Sequence, residues 1–549
     1  MIKKFFNNGI LLNSEPSRSI ISAAVVITLA GIASRILGLL RDRFLASAFG
    51  AGDTLDIYYA AFRVPDLIYN LLILGALSAA FIPVFTGLIT QKEEKEAWKL
   101  ANDLMNIAII LIVIFSLFFA VFAPFLMKLI APGFPSEKIN MAVFFTRIMF
   151  LSPLFLGISG IFGGILTSFK KFLIYSVAPI FYNLGIIAGV LCFVKFLGPV
   201  GLAWGVVFGA FLHMLIQYPA AKHVGFKYKP IFIKQIFQNH YLHKVVALML
   251  PRMMGIAVNQ INLFVITIFA SFLSAGSLSI LSFAQNMQSV PLGLFGVSFA
   301  IAVFPVLSAF AARDEKEEFV KAFSRTFCQI LFFVVPLSVA ILVLRAQLVR
   351  VILGAGKFDW EDTILTFQCL GVFSLSLFAQ STVPLLARAF YALHDTKTPF
   401  YIALFSEVAG IASVFLLINK FHVLGLAIAF SLASVVQMVS LLFVLRTRFD
   451  TLDDKKIINS VGKIALASFI AGISIQLVKY FTAAFVNMNY FFGVFVQLSI
   501  SATIGALIFL MVCYFLRLEE FFVFKQSIAG KFFRGKQVIT ESTDQVSGI

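Results

Sequence analysis

Charged residues are scarce in this sequence: Asp, Glu, Lys and Arg make up 13% of its 549 residues, whereas an ordinary soluble domain is near one quarter charged. Hydrophobic residues reach 60%, and Phe alone occurs 66 times. Apolar runs of about 18 or more residues recur along the chain, each long enough to cross a bilayer as a helix. They are too long and too continuously apolar for the alternating strands of a barrel. The shortage of charge therefore predicts an all-α polytopic membrane protein with about fourteen transmembrane helices.

Cysteine and catalytic motifs are scarce too. The four cysteines, Cys192, Cys328, Cys369 and Cys513, fall in apolar runs without paired spacing, which excludes a disulfide framework and a zinc site. The sequence has no Gly-rich loop followed by Lys and Ser or Thr, so it encodes no ATP-driven pump of that type. The six histidines lack metal-ligand spacing, and no nucleophile, base and orienting group cluster together. We therefore predict a protein that is not an enzyme and has no cofactor.

Basic residues outnumber acidic ones, giving a net charge of +17. Their strongest clusters, 222–244, 446–463 and 517–536, fall between or after apolar runs. With the N-terminus inside, these clusters face the same side of the membrane, as the positive-inside rule requires of the cytoplasmic side. The charge distribution therefore predicts contact with anionic membrane lipids rather than nucleic acid, and both termini in the cytoplasm.

An internal repeat divides the chain. Short motifs recur in the same order roughly 220 residues later. The matches include Ala46-Ser47 with Ala270-Ser271, Ala51-Gly52 with Ala275-Gly276, and Gly201-Leu202-Ala203 with Gly425-Leu426-Ala427. Because an even number of helices separates equivalent positions, we expect two six-helix lobes related by a pseudo-two-fold axis along the membrane normal, plus two C-terminal helices.

The repeat and the basic clusters together predict the domain organisation. From the N-terminus, we expect a cytoplasmic tail at 1–19, an N-lobe at 20–221, a basic cytoplasmic linker at 222–240, a C-lobe at 241–446, two further helices within 447–516, and a basic and polar cytoplasmic tail at 517–549.

Charged side chains lie inside the first two predicted spans, where each costs about 2.5 kcal/mol or more unless it faces protein or water. Arg35, Arg41 and Asp42 belong to the first span, and Asp56 and Arg63 to the second. A guanidinium group presents a planar fork that matches two phosphate oxygens. The arginines therefore predict an anion site in a central cavity. Alternatively, these residues form salt bridges that only hold helices together.

The first two predicted spans of the C-lobe also carry polar residues, most of which are uncharged amides. Arg252, Asn259 and Asn262 share a stripe on the seventh span, and Gln285 and Asn286 lie on the eighth. Amides hydrogen-bond without carrying charge. We expect these residues to form the opposite wall of the cavity.

Three more charged residues occur late in the C-lobe. Arg388 and Asp395 lie at the end of the tenth span, where they fit either a cytoplasmic gate or an anchor at the interface. Glu407 lies inside an apolar helix. It is a candidate site for a coupling cation, Na⁺ or H⁺, or an ion-pair partner of Arg388.

Several motifs resemble one family. They are Ser-Arg-Ile-Leu-Gly-Leu-Leu-Arg-Asp at 34–42, Phe-Gly-Ala at 49–51, Gly-Ala-Leu-Ser-Ala-Ala-Phe-Ile-Pro-Val-Phe at 75–85, Gly-Lys-Phe at 356–358 and Arg-Ala-Phe-Tyr-Ala at 388–392. From about residue 20 to 515 the chain resembles the MurJ (MviN) lipid II flippases, members of the multidrug, oligosaccharidyl-lipid and polysaccharide exporter superfamily.

This resemblance implies a flippase that carries lipid II, the undecaprenyl-pyrophosphate-linked peptidoglycan precursor, to the outer leaflet by alternating access. It implies that Arg35 and Arg41 bind the pyrophosphate, with Asp42 and Asp56 as further cavity charges. The helices at 459–516 would form a groove for the lipid tail. It further implies a monomer in the bacterial inner membrane, with cell-wall synthesis proteins as candidate partners.

The chain departs from the family pattern at a few positions. Tyr69-Asn70 replaces a basic pair, Leu74 replaces an acid, and Gln285-Asn286 replaces an element with an arginine. Two alternatives stay open: an exporter of another lipid-linked oligosaccharide, and a cation-coupled multidrug antiporter. An exporter of organic cations needs acids and aromatics in its cavity, so the arginines favour the flippase.

Overall fold

The structure is a computed structural model that describes residues 20–71, 81–230 and 240–533. Within these ranges, the side chains of 20–25, 527–533 and several residues between 244 and 259 are not described. All regular secondary structure in the described ranges is helical, which confirms the all-α prediction. The predicted tail at 1–19 and residues 231–239 of the predicted linker at 222–240 lie outside the described residues.

Within each described range, consecutive helices are connected by short turns. In chain order they are α1 Ile20–Phe49, α2 Asp53–Tyr69, α3 Ile82–Thr90, α4 Glu94–Ile130, α5 Ser136–Met149, α6 Leu151–Ser168, α7 Phe172–Ala188, α8 Val194–Leu197, α9 Gly201–His223, α10 His240–Ala270, α11 Ser277–Pro291, α12 Ser298–Ala312, α13 Lys316–Ile352, α14 Trp360–Ala392, α15 Lys397–Phe421, α16 Val423–Phe449, α17 Asp454–Phe485, α18 Phe491–Phe515 and α19 Glu519–Phe533.

Ten helical stretches among the described residues are long and apolar enough to cross a membrane. One of them, Phe172–His223, is 52 residues long and contains two of the predicted spans, because a π-helical turn at Gly189–Phe193 and a 3₁₀ turn at Gly198–Val200 continue the helix between α7 and α9. The predicted spans at 20–42, 55–88 and 241–272 include side chains or residues outside the description. The count of ten therefore applies to the described part only.

The chain forms two compact units, the first comprising Met1–Met287, Ile352–Cys369 and Val414–Leu426, and the second comprising Gln288–Val351, Leu370–Ser413 and Ala427–Ile549. The predicted division into lobes at 20–221 and 241–446 stays a prediction.

Helix packing in the first unit depends on glycine. A Cβ atom added to Gly185 of α7 would overlap the Cα atom of Gly209 in α9, and one at Gly205 would meet the Cα atom of Gly189 at 2.8 Å. Glycines four residues apart lie on the same face of a helix, so two such faces let backbones approach closely in the membrane. This contact fixes α7, which carries part of the cavity wall described below.

The second unit has an aromatic core. Phe319, Phe323 and Phe390 are fully buried in it. Packed against this core, α17 and α18 cross at Gly505, where a Cβ atom would overlap Ile475. Inside the bilayer the hydrophobic effect does not drive helices together, because lipid tails are as apolar as the side chains. Close packing of apolar side chains therefore stabilises the contact between these helices.

Candidate functional site

A cavity of about 500 Å³ lies within the first unit. Its wall combines charged, aromatic, amide and hydroxyl side chains. The lining residues are Arg41, Leu45, Tyr58, Tyr59, Phe62, Arg63, Pro65, Asp66, Tyr69, Ser152, Leu156, Pro179, Tyr182, Ile186, His213, Leu263, Ser282, Gln285 and Asn286. A concave pocket with a few convergent polar groups is typical of a ligand site.

Arg41 of α1 is the cation with the most defined geometry in this wall. Its Nε and Nη2 atoms donate to Oδ1 of Asp42 over 3.0 and 2.8 Å, and Nη1 donates to Oδ1 of Asn183 over 3.2 Å. The side chain keeps 21% of its surface accessible. Two acceptors therefore hold the guanidinium in one orientation while part of it faces the cavity.

Asp42 lies behind Arg41 and is almost fully buried. Besides the two bonds from Arg41, it accepts a hydrogen bond of 2.9 Å from Nδ2 of Asn286 in α11. Asn183 belongs to α7 and also donates to the carbonyl oxygen of Ser34. The Arg41–Asp42 pair thus connects three helices, and each helix supplies a polar group to the cavity.

Arg63 of α2 forms a second cationic point in the wall. Its Nε atom donates to Oγ1 of Thr267 in α10 over 2.8 Å, and Asp66 lies one turn further along α2. The Asp66 carboxylate accepts a hydrogen bond of 2.9 Å from Asn70. Each cavity arginine therefore has an acid close by, which offsets part of the cost of an isolated charge in the membrane.

Aromatic and hydroxyl groups complete the cavity. Tyr58 is buried and Tyr59 is half-buried, and their rings stack edge to face with centroids 5.3 Å apart. His213 of α9 also lines the cavity, and its Nδ1 atom lies 2.7 Å from Oγ of Ser159 in α6. Ser159 is buried outside the lining and also accepts a hydrogen bond of 2.6 Å from Gln217. The combination suits a ligand that carries both anionic oxygens and many hydroxyl groups.

The structure brings four predicted site residues into this lining: Arg41, Arg63, Gln285 and Asn286. Arg35 is half-buried in α1 and is not part of the described lining. Asn262 is half-buried in α10 and also lies outside it. The side chains of Arg252 and Asn259 lie outside the described residues.

Asp56 has a different environment, at the end of α2 that follows the α1–α2 turn. Its carboxylate accepts the backbone N–H of Gly276 over 2.8 Å, and the backbone N–H and hydroxyl of Ser279 over 2.9 and 2.7 Å. The Nζ atom of Lys138 in α5 lies 3.4 Å from Oδ2 of Asp56 and 2.6 Å from Oδ1 of Asp53. Asp56 therefore joins α2, α5 and α11 and is not part of the described cavity lining.

Further turns meet at the same end. Asp362 of α14 accepts the N–H of Ala51 over 2.8 Å, and the N–H of Lys357 donates to the carbonyl oxygen of Ser47 over 2.9 Å. Gly276 adopts a φ of +89°, and a Cβ atom there would overlap the carbonyl oxygen of Ala51. We call the contacts made by Asp56, Ala51, Gly276, Ser279 and Asp362 the turn network.

The remaining predicted residues lie in the second unit. Arg388 donates to the carbonyl oxygen of Pro384 over 3.1 Å, and Glu407 is half-buried in α15 and makes further contacts. Asp395, in the turn before α15, accepts bonds from Thr398 and Arg448. Burial opposes its ionisation, but these hydrogen bonds outweigh burial and hold the pKa of Asp395 below its usual value.

Sequence reasoning missed part of the wall. Asn183, Tyr182 and Tyr58 were not among the predicted site residues, although all three contact or line the region around Arg41. Asn183 lies four residues after Pro179 in an otherwise apolar helix. A lone amide at that position is the one signal that could have selected it.

Comparisons with known proteins agree with each other. A model of the family described as lipid II flippase MurJ matches residues 45–496. A probable lipid II flippase MurJ of Buchnera aphidicola subsp. Acyrthosiphon pisum is 30% identical over 427 residues, covering 77% of this chain and 83% of the relative. The corresponding protein of Rickettsia prowazekii is 27% identical over 508 residues, covering 91% and 98%.

Solved structures match as well. A lipid II flippase MurJ in an inward closed conformation aligns with a TM-score of 0.73 and 26% identity, covering 90% of this chain and 99% of that one. A multidrug resistance MATE family transporter in an inward-facing conformation aligns with a TM-score of 0.63 and 15% identity, covering 78% and 99%. The second likeness concerns the fold alone.

Proposed function

Because the chain belongs to the lipid II flippase MurJ family, we propose that it moves lipid II from the cytoplasmic to the outer leaflet of the bacterial inner membrane by alternating access. Lipid II carries a diphosphate between its lipid tail and its sugars. The protein would bind this headgroup in the cavity while the tail stays in the bilayer. This is transport without covalent chemistry.

One observation supports the choice of substrate most strongly: Arg41 and Arg63 line a cavity that also presents tyrosine, serine and amide groups. Guanidinium groups bind phosphate oxygens through paired, charge-assisted hydrogen bonds. The hydroxyl and amide groups offer hydrogen bonds to sugar and peptide. An organic cation would instead meet two guanidinium groups against one lining carboxylate, that of Asp66.

The acids beside the arginines have a role in the empty state. Asp42 neutralises Arg41 through two hydrogen bonds, so the unliganded cavity does not hold a bare guanidinium. A diphosphate, with more than one negative charge, would compete with Asp42 for the fork or add to it from the accessible face. The pair would thus hold Arg41 in place before and after substrate release.

Alternating access requires the cavity to close on one side of the membrane, and we assign closure on the outer side to the turn network. With the N-terminus in the cytoplasm, the α1–α2 turn lies on the outer side. Asp56, Asp362 and Gly276 would then close the outer end of the first unit, and release of substrate outwards would require these bonds to open. The cytoplasmic termini and the coupling ion, Na⁺ or H⁺, stay predictions.

The proposal predicts that this chain rescues bacterial cells depleted of their own lipid II flippase. Growth after depletion is measured with the wild-type chain, with an empty vector, and with a chain truncated after α9. Rescue by wild type alone is expected. Membrane insertion without rescue would contradict the proposal, and export of ethidium by the same cells would favour the antiporter alternative.

A further inference from the structure

We propose that Arg345 and Lys479, in the second unit, form a binding site for the phosphate of a membrane lipid, separate from the transport cavity. The site lies where the late part of α13 meets the end of α17. A lipid headgroup phosphate and a free diphosphate share the chemistry that these cations recognise, and we assign the site to the lipid.

The geometry holds the two cations together. Lys479 turns inward and its Nζ atom donates to the carbonyl oxygen of Val343 in α13 over 3.1 Å. Arg345, two residues further along α13, contacts the backbone carbonyl next to that one, so the two cations lie close together. Its Nη1 atom donates to the carbonyl oxygen of Leu342, and its Cδ atom is 3.0 Å from where a Cβ of Gly371 in α14 would lie.

A buried amide pair fixes the helices beneath these cations. Nε2 of Gln347 in α13 donates to Oε1 of Gln497 in α18 over 2.9 Å, and Nε2 of Gln497 donates to the carbonyl oxygen of Lys479 over 2.8 Å. Three helices are thereby locked at this level. Arg345 and Lys479 carry like charges that repel each other, and the packed helices keep them close together. An anion bound beside both side chains would offset this repulsion.

The neighbouring surface indicates the depth of the site in the membrane. Next to Lys479, Tyr480 is 80% exposed, and Tyr490 at the start of α18 is also exposed. Tyrosine is enriched at the level of lipid headgroups. The cations therefore lie at the depth of lipid phosphates, at the end of α17 opposite its basic start, which the proposed topology makes the outer leaflet.

The test measures lipid binding by the full-length protein in neutral detergent, using native mass spectrometry. The probes are short-chain phosphatidylglycerol, diacylglycerol with the same tails, and inorganic pyrophosphate. Because each cation near a phosphate strengthens binding, we expect the variant Arg345→Gln/Lys479→Gln to bind phosphatidylglycerol at least about tenfold more weakly. Lys479→Arg should retain binding because it keeps the charge.

The matched control is Lys420→Gln, which removes an exposed lysine at the end of α15. It should leave binding unchanged. Equal affinity of wild type and the double variant, or equal binding of diacylglycerol, would overturn the site. Competition by pyrophosphate at equal concentration would overturn the assignment to a lipid. The result does not depend on flippase activity, since binding is measured without transport.

Discussion

Removing the Arg41 guanidinium is expected to abolish rescue of flippase-depleted cells. Arg41→Ala would take away a phosphate ligand, but it would also leave the Asp42 carboxylate buried without its cation, at a cost of about 3–5 kcal/mol. The informative variant is therefore Arg41→Ala/Asp42→Asn. It removes both charges together, keeps an amide beside Asn286, and should insert and fold yet fail to support growth.

Growth and the amount of folded protein in the membrane are measured side by side. Arg41→Lys should rescue poorly, because an ammonium group lacks the planar fork. Arg147→Ala serves as the matched control: Arg147 is an exposed arginine that donates to the carbonyl oxygen of Ala120 and should be dispensable. Full growth with Arg41→Ala/Asp42→Asn would show that the guanidinium is not needed.

Opening the turn network should produce the second large effect. Asp56→Ala removes the acceptor for three hydrogen bonds from Gly276 and Ser279. Two buried backbone N–H groups would lose their partner, at about 1–3 kcal/mol each. Conformations with an open outer end would therefore become at least about tenfold more populated than in wild type.

Thiol labelling can measure this shift. Cys192 is the exposed natural cysteine among the four, so the background carries Cys192→Ser, and Ser282→Cys places a thiol in the cavity wall. An impermeant reagent added outside should label this thiol at least about tenfold faster in Asp56→Ala. Asp53→Ala, which removes an exposed acid that pairs with the same Lys138, is the control. An unchanged labelling rate in Asp56→Ala would contradict closure by this network.

Much of the fold is predictable because the membrane imposes it. Long apolar runs must become helices, since lipid offers no hydrogen bonds to a backbone. Local breaks were harder to predict. The predicted span at 139–168 contains a turn at Phe150 that separates α5 from α6. Pro153 explains the break, because its nitrogen has no N–H to donate to the carbonyl oxygen of Met149, which accepts the Ser152 hydroxyl instead. Proline alone does not identify a break in this sequence, since Pro65 lies inside α2 without ending it.

The site could be predicted in part. The rule that buried charge must face protein or water selected Arg41 and Arg63, and both line the cavity. The rule does not say which partner a charge finds. Asp42, the next residue, pairs with Arg41, whereas Asn183 lies 142 positions away. That second partner depends on how α1 packs against α7, which a single sequence does not reveal.

Asp56 illustrates the same limit. Asp56 shares helical spacing with Arg63, and this spacing predicts it as a cavity charge. That role stays a prediction. In the structure, its carboxylate accepts a hydrogen bond from the turn before α11. The internal repeat held a clue that sequence reasoning did not use. Its matching segments, Ala51-Gly52 and Ala275-Gly276, turn out to contact one another, since Gly276 lies against the carbonyl oxygen of Ala51.

The most direct test of the central claim is the affinity of the purified protein for a short-tailed lipid II analogue. With wild type, binding should be saturable and inorganic pyrophosphate should compete. With Arg41→Ala/Asp42→Asn, affinity should fall by about tenfold or more, because charge-assisted bonds to a phosphate are lost. Equal affinity of the two proteins, with no competition by pyrophosphate, would contradict a diphosphate held by Arg41.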